Sequence, residues 1–219
     1  MSVAEGFGFV HVYEPGRGPE TLLLLHGTGG TEHDLVPLGR RLAPAAHLLA
    51  PRGKVLEGGH ARFFRRLAPG VFDVEDVRLR AGELKRFVAA AASRYGLDPS
   101  RVWAVGYSNG ANIAAALLLL HPDALAGAVL LRPVLPLEPD MAPGLAGKPV
   151  FIAAGHRDAL APAEAVEALA EWLRRGGAQL TVRWQEAGHG LAPEELDAVR
   201  AWLAPWLHHP DGSRPPALR

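Results

Sequence analysis

Short apolar runs bounded by Gly or Pro alternate along this chain with longer segments of helical period, and few architectures accept that rhythm. Runs of this kind are buried strands, expected near residues 9–13, 21–25, 46–50, 101–105, 127–131, 150–153 and 179–184. Helices are expected between them, over 34–42, 74–95, 111–120, 162–175 and 193–207. Strands that alternate with helices build a parallel sheet covered on both sides. The predicted fold class is therefore α/β, a three-layer sandwich with a mostly parallel twisted β-sheet and helices on both faces. In the long helix, Val77, Leu79, Leu84, Phe87, Val88 and Ala91 make one apolar stripe for the sheet to cover. Gly96, Gly176 and Gly177 follow helical stretches where a left-handed cap is expected.

A length of 219 residues suits one domain, placed at 1–207, with a polar, proline-rich tail at 208–219 expected to be poorly ordered. With 23 basic and 23 acidic side chains, there is no global charge to attract nucleic acid or an anionic membrane. The absence of cysteine removes disulfides, thiolate nucleophiles and cysteine metal sites. No apolar run is long enough to span a bilayer, and the first twenty residues lack the basic start and apolar core of a secretory signal. The expectation is a cytoplasmic protein whose partner is a small molecule, with a homodimer left open.

The pentapeptide Gly106-Tyr107-Ser108-Asn109-Gly110 follows an apolar run and precedes an alanine-rich helix former. It matches G-x-S-x-G, in which a strand reverses so sharply into a helix that only very small residues fit two places either side of the serine. Such a corner lifts the hydroxyl above the carboxyl edge of the sheet, at the positive end of a helix. The bland reading is an ordinary glycine-rich turn.

An alcohol needs a base to take its proton and a third group to orient that base, in the chain order Ser, Asp or Glu, His. Asp158 lies just past the apolar run at 150–153, with Glu164 and Glu186 as substitutes. His189 stands on a glycine-flanked loop after the last expected strand, with His156 as its competitor. An oxyanion hole takes one amide from the residue after the nucleophile, Asn109, and one from the loop after an early strand. In His26-Gly-Thr-Gly-Gly30 the best-placed amide is that of Thr28. A nucleotide cradle there fails, because a dinucleotide fingerprint needs glycine where Glu32 stands and no Gly-Lys-Ser/Thr follows.

The segments HGTGG, GYSNG, GHRD and EAGHG, in this order between residues 26 and 190, resemble the α/β-hydrolase superfamily. Within it the chain is similar to the small, lidless carboxylesterase and lysophospholipase group, related to dienelactone hydrolases. Those relatives typically use cysteine as nucleophile, where this chain has Ser108. The resemblance implies the α/β-hydrolase fold, a triad of Ser108, Asp158 and His189, oxyanion amides at Thr28 and Asn109, and neither cofactor nor metal. It implies a serine carboxylic-ester hydrolase for small or medium acyl or aryl esters, or a thioesterase or lysophospholipase on the same triad. A non-catalytic binding protein on this fold is the reading from another class.

Residues 132–148 occupy the place where larger relatives carry a cap, so an open, shallow pocket is expected. Its apolar wall is assigned to Phe63, Phe64, Val134, Leu135 and Leu191, with ordinary core packing as the competing role. Arg62, Arg65 and Arg66 cluster beside the two phenylalanines, either as a solvated face or as an anchor for a substrate anion.

Overall fold

The chain begins with β1 (Val3–Gly6) and β2 (Phe9–Glu14), then β3 (Thr21–Leu25), α1 (Val36–Leu42) and β4 (His47–Pro51). Two short hairpins follow, β5 (Val55–Glu57) with β6 (His60–Arg62), and β7 (Arg66–Ala68) with β8 (Val71–Phe72). Next come α2 (Val74–Tyr95), β9 (Val102–Tyr107), α3 (Asn109–Leu120) and β10 (Gly127–Leu131). The remainder is β11 (Pro149–Gly155), α4 (Ala163–Arg175), β12 (Gln179–Gln185) and α5 (Pro193–Leu207). This computed structural model describes residues 3–6 and 8–207, so the tail predicted at 208–219 lies outside the described residues.

Among the described residues, eight strands form one sheet in the order β1-β2-β4-β3-β9-β10-β11-β12. From β4 to β12 every neighbour is parallel, whereas β2 runs antiparallel to both β1 and β4. The central strands are almost wholly apolar, as strands covered on both faces must be. In β3, Leu23 and Leu25 join the core under α2, α3 and α4, while Leu22 and Leu24 join the core under α1 and α5. That period of two makes one strand serve both layers.

Local chemistry sets the boundaries. The Asp73 side chain accepts from the Asp76 amide at 3.1 Å and caps α2, which ends on left-handed Gly96 at φ 68°. After α4 the left-handed residue is Gly177 at φ 83°; Gly176, also expected there, is helical at φ −73°. Leu79 departs from the predicted stripe and is exposed, since α2 turns it away from the sheet. The helix expected from residue 34 starts at Val36, because the Thr31 hydroxyl donates to the Asp34 carboxylate at 2.7 Å and holds a turn there. β4 begins one residue later than expected because the Ala46 amide closes a turn onto the Ala43 carbonyl. No helix among the described residues is long and apolar enough to cross a membrane.

Candidate active site

Each glycine of the pentapeptide stands where a side chain would collide. A Cβ on Gly106 would lie 2.4 Å from the Gly110 carbonyl oxygen, and one on Gly110 would lie 1.9 Å from that of Leu25. β9 therefore passes into α3 through one residue, and Ser108 takes the strain at φ 53° and ψ −117°. Its amide donates to the Leu131 carbonyl at 2.8 Å and its carbonyl accepts from the Asn112 amide at 2.9 Å.

Asp158 lies just past the carboxyl end of β11, and its side chain is fully buried. One oxygen, Oδ1, accepts from the Leu160 and Ala161 amides at 2.9 and 3.1 Å, which fixes the carboxylate plane. The other, Oδ2, accepts from His189 Nδ1 at 2.7 Å. His189 follows β12, and its Nε2 lies 2.8 Å from Ser108 Oγ. Ser108, His189 and Asp158 thus form one continuous chain of hydrogen bonds. Glu164 and Glu186 are exposed, and His156 stacks on Trp184 at 5.0 Å, so the three substitutes stand apart from it.

Thr28 and Asn109 border the same cavity as Ser108 and His189. Asn109 is the first residue of α3, so its amide is one that a helix start leaves without an intrahelical partner. Its side-chain oxygen accepts from the Phe63 amide at 2.7 Å and anchors the chain after β6 beside α3. Thr28 Oγ1 accepts from Arg62 Nη1 at 2.7 Å.

His26 braces the loop that carries Thr28. The Gly53 amide donates to His26 Nε2 at 2.9 Å, so the ring proton sits on Nδ1 and is donated to the Gly27 carbonyl at 2.6 Å. Burial pushes the His26 pKa below its ordinary 6.5, against a smaller opposing effect of the Gly27 carbonyl. A lowered folded pKa means that His26 contributes stability which is whole above pH 6.5 and is lost as pH falls towards the folded value. The melting temperature of wild type should fall more steeply from pH 7.5 to 5 than that of His26→Asn, although the variant starts lower. Parallel slopes would remove His26 from this role. The comparison cancels His47 and His121, whose pKa values burial also lowers.

The cavity beside Ser108 has a volume of about 390 Å³. Of the five residues expected in its apolar wall, Val134 borders it. Phe63 and Phe64 are instead buried in the core, Phe63 against His26 at 4.8 Å and Phe64 against Phe72 at 5.1 Å. Leu135 packs on the core beneath α2, α3 and α4, and Leu191 on the opposite one. Their place is taken by Pro69 and Phe72 of the β7–β8 hairpin and by Leu160. Residues 132–148 form no helix or strand, in keeping with the absence of a cap.

The arginine cluster divides. Arg65 is exposed and pairs with Asp73 at 2.8 Å, as a solvated face would. Arg62 is 4% exposed, against that expectation, and borders the cavity with the more exposed Arg66. Burial lowers the Arg62 pKa, with the charge of Arg66 adding to the effect.

Sequence reasoning missed Arg132 and Glu195. Arg132 Nη1 and Nη2 donate to the two oxygens of the Glu195 carboxylate, and its Nε lies 3.9 Å from Asp158 Oδ2. These partners are 63 and 26 residues away, beyond any local pattern.

A model of the dienelactone hydrolase family matches residues 71–202. The chain is 51% identical over 192 residues to a Bacillus subtilis (strain 168) protein named "Putative hydrolase MhqD", covering 88% of this chain and 96% of that one. Its fold is similar to that of a Bacillus cereus carboxylesterase, with a TM-score of 0.87, 44% identity, and 90% and 93% of the two chains covered. A carboxylesterase from Mesorhizobium loti is similar with a TM-score of 0.85 and 35% identity, over 93% of this chain and 98% of that one.

Proposed function

The chain belongs to the dienelactone hydrolase family, on the α/β-hydrolase fold, and from that premise we propose that it is a serine carboxylic-ester hydrolase for small or medium acyl or aryl esters. The observation that carries this reading is the unbroken relay from Asp158 through His189 to Ser108, 2.7 and 2.8 Å per step, beside a cavity. His189 Nε2 takes the Ser108 proton as Oγ attacks the ester carbonyl. The amides of Thr28 and Asn109 hold the oxyanion, each worth about 3 kcal/mol in the transition state. His189 then returns the proton to the departing alcohol, leaving Ser108 acylated. Water, deprotonated by the same imidazole, releases the acid and restores the hydroxyl. Asp158 keeps the ring proton on Nδ1, so that Nε2 is free to accept.

The cavity of about 390 Å³ sits at the small end of ligand pockets and favours short acyl groups over long ones. A panel of p-nitrophenyl acetate, butyrate, octanoate and palmitate, with an acyl thioester and a lysophospholipid, tests this. Turnover should be fastest on the acetate and butyrate and weak on palmitate. Faster turnover of the thioester or lysophospholipid would move the assignment to the alternatives on the same triad, and no turnover of any substrate would favour a binding protein.

A further inference from the structure

Three consecutive carbonyls of the loop that bears His189 are each held by a side chain from the other side of the site. Arg132 Nε donates to the Gly188 carbonyl at 2.9 Å, the Tyr107 hydroxyl to that of His189 at 3.1 Å, and Arg132 Nη2 to that of Gly190 at 2.7 Å. Arg132 is 1% exposed and Tyr107 packs its ring 5.4 Å from the imidazole. The Glu195 carboxylate neutralises Arg132 and accepts from the Ala192 amide at 3.3 Å, which ties the loop's far end to the start of α5.

Backbone strain marks the same place. Among the described residues, the non-glycine residues at positive φ are Ser108 and Arg132, the latter at 56°. Its amide donates to the Ala153 carbonyl at 2.8 Å, which pins the strained residue between β10 and β11. Strain of this kind persists where surrounding structure imposes it, and it concentrates at functional sites.

We infer that Arg132 and Tyr107 are positioning residues, a clamp that holds the His189 loop so that the imidazole bridges Ser108 and Asp158. The inference rests on the triad reading. A glycine-flanked loop has ample freedom of its own. With all three carbonyls engaged, the ring stays within hydrogen-bond reach of both partners through the cycle. Arg132 Nε also lies 3.9 Å from Asp158 Oδ2, so the same side chain borders the carboxylate that orients the ring.

Removing Arg132 alone would leave Glu195 buried and unpaired, so the informative variant is Arg132→Met with Glu195→Leu, an apolar replacement of the pair. Tyr107→Phe is the second variant, since it deletes one hydroxyl and keeps the ring. With p-nitrophenyl butyrate, the double variant should lose about 100-fold in kcat and Tyr107→Phe about 10-fold, each with KM within about threefold of wild type. The low-field proton resonance of the His189–Asp158 hydrogen bond should broaden or vanish in the double variant, a change that lost stability in a still-folded protein would not produce. Arg132→Lys, which keeps the charge but lacks the fork, should fall between wild type and the double variant. A folded double variant with wild-type kcat and an intact low-field resonance would overturn the clamp, and so would wild-type kcat in Tyr107→Phe if the double variant does not fold. Ser108→Ala measured alongside separates the two readings, because an active Ser108→Ala refutes the triad, whereas an inactive one with a fully active double variant refutes the clamp alone.

Discussion

Ser108→Ala should lower kcat for p-nitrophenyl butyrate by about 10⁶-fold, the scale on which removing a triad serine abolishes covalent catalysis. The fold should survive. The Ser108 hydroxyl bonds to His189 Nε2 at 2.8 Å, whereas the bonds of residue 108 to Leu131 and Asn112 run through its backbone and remain in the variant. Alanine inherits the strained φ of 53°, so stability should stay close to wild type. Glycine does not. Relief of a strain worth about 1–3 kcal/mol, less the roughly 0.5–1 kcal/mol of extra chain entropy that glycine loses on folding, should leave Ser108→Gly about 1 kcal/mol more stable than Ser108→Ala in urea titrations. An elbow no more stable with glycine would mean that φ 53° costs little here.

Asp158→Asn should cost about 10⁴-fold in kcat with little change in melting temperature. The amide oxygen can keep accepting from Leu160 and Ala161, which leaves the NH₂ group facing His189 Nδ1. Two donors cannot share that bond, so Nδ1 must give up its proton and Nε2 must carry it. The imidazole then donates to Ser108 and cannot take its proton. A loss of only a few-fold in kcat would show that the orientation of His189 does not depend on a carboxylate at 158.

What is legible from residues alone follows the reach of local chemistry. Continuous apolar runs such as Leu22 to Leu25 and Val150 to Ala153 mark strands covered on both faces, and they appear where expected. The steric demand at Gly106 and Gly110 is likewise written into five consecutive residues. The two- and three-residue strands of the two hairpins carry no period to read, and one of those hairpins supplies Pro69 and Phe72 to the cavity. Phe63 and Phe64 suit a ligand wall or a core equally well by type, because two aromatics beside arginines occur in either. The tie between the Phe63 amide and Asn109, across 46 residues, accompanies their burial in the core. Arg132 is hidden for the same reason, since its charge acquires meaning only when α5 brings Glu195 beneath the His189 loop.

In the proposed reaction Ser108 becomes covalently acylated. Inactivating the protein with a fluorophosphonate and mapping the adduct by peptide mass spectrometry tests this most directly. One adduct on Ser108, accumulating in proportion to lost esterase activity and absent from Ser108→Ala, is the expected result. Complete inactivation with the adduct on another residue, or full activity with Ser108 modified, would contradict it.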